Sequence, residues 1–84
     1  MEQVEFDRVV EELTLLLIYL TSWREELAPG GPGIQKAWKN MRFEVLDALA
    51  EQGLIETNHR SKSLRITEAG LLKAEELRNK HLKG

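Results

Sequence analysis

The spacing of apolar residues divides the chain into helices joined by a loop and a short hairpin. Phe6, Val9, Val10, Leu13, Leu16, Leu17 and Leu20 recur at the i, i+3, i+4 interval of one helical face, which predicts a helix from about Asp7 to Trp23. Asp7 suits its N-cap or first turn, where a carboxylate meets unpaired backbone N–H groups. The opposite face begins polar, with Arg8, Glu11 and Glu12, and then turns apolar with Leu15, Ile18 and Tyr19. The second half of this helix is therefore apolar nearly all round and must be covered on two sides. The C-terminal helix and Trp38 supply one cover; a second copy of the chain or another protein supplies the alternative. Left in water, Leu15, Ile18 and Tyr19 would be an association hazard, and they are the candidate dimer or partner surface.

Pro29-Gly30-Gly31-Pro32-Gly33 ends the periodicity and predicts a flexible loop over about residues 25–35. Ala37-Trp38-Lys39 is expected as a short turn of helix, with Trp38 and Trp23 as packing residues rather than base-stacking ones. A second helix is predicted from about Asn40 to Gln52, with Asn40 as N-cap and Gly53 at the left-handed position beyond its end. It would turn Phe43, Leu46, Leu49 and Ala50 inward and Asn40, Glu44, Asp47 and Glu51 outward. Leu54 to Thr57 and Ser63 to Ile66 favour strand, and the polar residues between them favour a turn, giving a β-hairpin with a basic tip. Thr67 caps a last helix that sends Leu71, Leu72, Ala74 and Leu77 to the core and ends among Lys80, His81 and Lys83, cations that complement its C-terminal dipole. The expected class is α+β, mainly helical, in one domain spanning residues 1–84.

The order helix, turn, helix, LDALAEQGLIET (Leu46–Thr57), hairpin, SLRITEAG (Ser63–Gly70) resembles a winged helix-turn-helix. Transcription regulators of the MarR and PadR type share this L-x-x-L-x-x-x-G-L-I and L-T-x-x-G grammar. The resemblance implies helices plus a two-stranded wing, with Gly70 letting the last helix pack closely. The segments LTLLLIYLTSW (Leu13–Trp23) and AWKNMRFEVLDALAEQGLI (Ala37–Ile55) are also similar to a small bacterial family of stand-alone domains of unknown function. That likeness extends over about Leu13 to Leu77 and implies no activity.

Charge changes the functional picture that such a fold suggests. The formal net charge is −2, but it is unevenly spread: residues 29–43 and 57–66 each carry +3, whereas residues 1–28 carry −5 and residues 44–56 carry −4. In winged-helix DNA binders the second helix reads the major groove and should expose Arg, Lys, Asn or Gln. Here it exposes Glu44, Asp47 and Glu51. Each carboxylate about 10 Å from a phosphate costs roughly 0.4 kcal/mol in bulk water before screening. Candidate contacts to double-stranded DNA are instead Lys36, Lys39, Asn40 and Arg42 at the start of that helix, and His59, Arg60, Lys62 and Arg65 on the wing. Two functions follow as expectations: a regulator-like DNA-binding domain by fold analogy, or a self-associating protein-interaction module without DNA binding.

Catalytic chemistry finds little to work with. The absence of cysteine excludes disulfides, thiolate metal sites and cysteine nucleophiles within this sequence. His59 and His81 show no metal-ligand spacing, and Pro29 to Gly33 lacks the Lys-Ser/Thr of a phosphate loop. No base held against a nucleophile can be assembled, so no enzyme activity, cofactor or small-molecule ligand is expected. The acidic start at Glu2, Glu5 and Asp7 does not look like a secretory signal, and the apolar run Leu15 to Leu20 is far shorter than the roughly 20 residues a bilayer needs, so a cytoplasmic location without membrane contact is expected.

Overall fold

The structure is a computed structural model, and it describes residues 2–26, 29–31, 33–58 and 60–82. Among these, the elements run α1 (Gln3–Leu20), β1 (Trp23–Glu26), β2 (Gly33–Trp38), α2 (Phe43–Glu51), β3 (Ile55–Glu56), β4 (Ser63–Ile66) and α3 (Glu68–His81). The strands form one antiparallel sheet in the order β1-β2-β4-β3. The class is therefore α+β, and the sheet is larger than the expected two-stranded wing.

The additional strands come from the segment expected as loop and helical turn. Glu25 and Glu26 belong to β1; Gly33, Ile34, Gln35, Ala37 and Trp38 belong to β2. The turn between them includes Gly30, whose φ of +75° is available at little cost only to glycine. The rest of the expected flexible loop, Leu27, Ala28 and Pro32, lies outside the described residues. In retrospect Ile34-Gln35-Lys36-Ala37-Trp38 alternates well enough for a strand, with Ala37 buried and Lys36 and Trp38 on the other face. Helix-turn-helix continuity is also lost. A β-hairpin separates α1 from α2, and only residues 39–42 lie between β2 and α2, too few for another helix.

The sheet turns Ala37, Ile55, Leu64 and Ile66 inward against Leu15, Leu16 and Ile18 of α1, Leu46 and Leu49 of α2, and Ala74 and Leu77 of α3. Period-2 alternation puts Trp38, Arg65 and Glu56 on the uncovered face. Two expected core residues of α2 and α3 are corrected: Phe43 and Leu72 are mostly in water, Met41 and Val45 pack against the core in addition, and Leu71 packs there as expected. Phe43 opens α2, so it projects beyond the layer that Leu46 and Leu49 fill.

The β4 to α3 corner is built as the sequence requires. Thr67 precedes α3, and its Oγ1 accepts the Gly70 N–H at 3.0 Å while donating to the Gly53 carbonyl at 2.6 Å. One hydroxyl thus ties the start of α3 to the end of α2. Gly53 has φ +75°, the left-handed conformation that closes α2. At Gly70, a Cβ would collide with the Leu54 carbonyl oxygen and stand 2.9 Å from Ile66 Cγ2, so only glycine allows this helix to approach. Asn40 does not cap α2. Arg42 holds that position without a side-chain bond to the helix. Asp7 lies inside α1, which starts earlier than expected, and accepts from Gln3 Nε2 at 2.9 Å.

Candidate functional site

The faces of α1 are the reverse of those expected. Leu15 and Ile18 are 1% exposed and belong to the core, with Tyr19 packed beside them. They cannot form a partner surface in the folded chain, and that expectation is corrected. The longer apolar stripe is the one left outside: exposure runs from 37% at Val9 through 46% at Leu13, 47% at Leu17 and 50% at Leu20 to 53% at Phe6. Packing of Leu15, Leu16 and Ile18 into the core sets this rotation of the helix, and polar contacts accompany it. Gln52 Nε2 donates to Glu11 Oε1 at 2.7 Å, and Lys80 Nζ lies 3.9 Å from a Glu12 oxygen. Glu11 and Glu12, expected as solvent residues, are thus half-buried clamps facing α2 and α3.

The exposed stripe has a regularity that a core-facing helix does not need. Exposed Phe6, Leu13, Leu17 and Leu20, with half-buried Val10 between the first two, follow steps of four and three, the spacing of a helix that packs lengthwise against another. Its N-terminal end borders a cleft of about 420 Å³ whose walls include Phe6, Val10, Arg42 and Val45. Formal charge concentrates at the same end, in Glu2, Glu5, Asp7, Arg8, Glu11 and Glu12; residues 13–22 carry none.

The basic residues do not form one continuous groove. Lys36 and Arg65 are register partners on the uncovered face of the sheet, but each is matched by a carboxylate. Lys36 Nζ lies 3.1 Å from Glu25, and Arg65 lies 3.3 Å from Glu56. Arg42 sits near α1 in the cleft that Asp7, Glu11 and Glu44 also line. Asn40 is exposed between β2 and α2, and His59 lies outside the described residues. Among the described residues, Lys39, Arg60 and Lys62 are neighbours through the backbone at the end of β2. The Lys39 N–H donates to the Lys62 carbonyl at 3.0 Å, Lys39 Nζ donates to the Asn58 carbonyl, and the Arg60 N–H donates to Asn58 Oδ1 at 2.7 Å. Only the Lys39 ammonium is placed by these bonds, and Lys39 shares a small pocket with Phe43, Leu46 and Asp47 on the α2 side of the sheet, away from Trp38.

Trp38 itself is not a packing residue in the expected sense. It is 60% exposed, and its ring centroid lies 4.9 Å from that of half-buried Trp23 with the planes tilted at 45°. Both rings stand on the uncovered face, because Trp23 pairs with Lys36 across β1 and β2 and alternation returns Trp38 to the same side.

The model of the domain of unknown function DUF6429 matches residues 7–84. The chain belongs to the DUF6429 family. No curated protein and no solved structure matches it. Membership of DUF6429 thus agrees with the likeness to a small uncharacterised family, and it brings no activity to the residues above. Among the described residues of this DUF6429 chain, no helix is long and apolar enough to cross a membrane.

Proposed function

We propose that this domain is a self-associating interaction module, and that α1 pairs with α1 of a second copy. The carrying observation is the stripe Phe6, Val9, Leu13, Leu17 and Leu20, exposed along the helix and continued by half-buried Val10. Five large side chains at about half exposure leave on the order of 400 Å² of apolar surface, within the roughly 300–600 Å² of the largest patch on a monomer, which is often functional. Covering it on two copies, together with the polar residues at its margins, removes about 1,000 Å², the lower bound for a specific interface. A dimer of roughly micromolar Kd is the expectation, because the apolar gain must exceed the entropy lost on association.

Charge favours the antiparallel arrangement. Parallel pairing would set two acidic N-terminal halves side by side, whereas antiparallel pairing sets each beside the uncharged half of its neighbour and opposes the two helix dipoles. A two-fold axis then makes the same patch serve both copies.

The duplex-DNA alternative derives from the winged-helix resemblance and has less support. α2 presents Glu44, Asp47 and Glu51 to solvent, and Lys36 and Arg65 are already balanced by carboxylates. Sedimentation equilibrium of the native chain and of Leu13→Glu/Leu17→Glu is the test. Native dimer and variant monomer, with unchanged circular dichroism, are expected. A native chain that stays monomeric at roughly 500 µM, far above the expected micromolar Kd, overturns self-association.

A further inference from the structure

Antiparallel pairing of α1 leaves open which residue of one copy lies opposite which residue of the other. The steps of the stripe restrict the answer. Along one helix Phe6, Val10, Leu13, Leu17 and Leu20 are separated by steps of four, three, four and three. An antiparallel partner presents the same steps in reverse, as three, four, three and four. Side chains of two helices interdigitate in regular layers only where the steps coincide. Two registers satisfy this. In the first, Phe6, Val10, Leu13 and Leu17 lie opposite Leu17, Leu13, Val10 and Phe6 of the second copy. In the other, Val10, Leu13, Leu17 and Leu20 lie opposite Leu20, Leu17, Leu13 and Val10.

Overlap decides between them. α1 runs from Gln3 to Leu20, 18 residues or about 27 Å. The first register sets Gln3 opposite Leu20 of the second copy, so the helices overlap from end to end. The other overlaps only from Val10 to Leu20 and carries Phe6, the most exposed side chain of the stripe, and Val9 past the end of the partner's helix. The whole stripe on both copies reaches only the lower bound of a specific interface, about 1,000 Å². A register that leaves Phe6 and Val9 in water falls short of it. End-to-end overlap also gives the cleft beside Phe6 an occupant. Phe6 and Val10 of α1 and Val45 of α2 are among the walls of that cleft, about 420 Å³ in volume, and the partner's Leu17 arrives opposite Phe6 at its mouth. Val45 then belongs to the interface although it lies outside α1.

We infer that the two copies meet in this single register, with Phe6 opposite Leu17, Val10 opposite Leu13, and the partner's Leu17 seated at the cleft bounded by Val45; the inference rests on the pairing of α1 proposed above. The chain contains no cysteine, so one introduced thiol per copy reports the register. Phe6→Cys, Val10→Cys, Leu13→Cys, Leu17→Cys and Leu20→Cys are prepared singly, mixed in pairs at about 200 µM, far above the expected Kd, and weakly oxidised. A bridge forms only where the two Cα atoms come within about 7 Å. Expected are bridged dimers from Phe6→Cys with Leu17→Cys and from Val10→Cys with Leu13→Cys, several-fold in excess of the product of any variant alone. Bridging of Phe6→Cys with itself means parallel pairing, and bridging of Val10→Cys with Leu20→Cys means the shorter overlap; either result overturns the register, as does equal bridging of all pairs or of none. Sedimentation equilibrium of the native chain separates this failure from loss of pairing itself. A native dimer with another bridging pattern rejects the register alone, whereas a native monomer rejects self-association as well. Val45→Cys tests the cleft: its thiol should react with a maleimide several-fold more slowly in the dimer than in the Leu13→Glu/Leu17→Glu background. Equal rates overturn the seating of Leu17 at the cleft.

Discussion

Leu13 and Leu15 are two residues apart on one helix, and alanine at each separates the two faces of α1 quantitatively. Leu15 is 1% exposed, whereas Leu13 is 46% exposed. A buried Leu→Ala change loses the transfer free energy of the deleted carbons and the contacts around the resulting cavity, together about 3–5 kcal/mol. Leu15 also borders a surface cleft of about 260 Å³ with Leu49, Leu54 and Leu77, so water and neighbouring side chains can enter the vacated space. The expected cost therefore lies at the low end, about 3 kcal/mol. An 84-residue domain has on the order of 4–12 kcal/mol of total stability, so this change lowers Tm by roughly 15 °C. Leu13→Ala costs the folded monomer about 1 kcal/mol or less, because half of that side chain is already in water. In a dimer it costs more as protein concentration rises, since association stabilises only the folded state. Urea melts by circular dichroism at about 1 µM and 200 µM protein, concentrations near and far above the expected Kd, read both effects. A Leu13→Ala cost equal to that of Leu15→Ala at the lower concentration would refute the assignment of faces.

Two further substitutions probe the α3 corner. Gly70→Ala gains about 1 kcal/mol of helix propensity but drives a methyl into the Leu54 carbonyl and Ile66, and should destabilise by a net 1–3 kcal/mol in denaturant melts. Thr67→Ala removes both the cap on Gly70 and the bond to Gly53, and should cost about 1–2 kcal/mol; Thr67→Ser should recover most of it, which a thermal melt of the pair decides.

The C-terminal half of the fold was legible because its signals are local. Gly53, Thr67 and Gly70 each impose a backbone geometry by their own chemistry, and β4 falls on Ser63–Ile66 as alternation predicts. The N-terminal half was harder for two physical reasons. The glycines and prolines at 29–33 mark a break in helix, and the same residues serve a hairpin turn equally well, so β1 and β2 were hidden behind them. On α1, periodicity shows that two apolar stripes exist without showing which one meets the core. The decision lies in distant partners: Leu15, Leu16 and Ile18 pack with Leu46 and Leu49 of α2 and Ala74 and Leu77 of α3, and Gln52 on Glu11 and Lys80 near Glu12 accompany that packing. The same blindness scattered the basic residues. Charge runs in sequence could not show that Glu25 and Glu56 would arrive beside Lys36 and Arg65 across the strands.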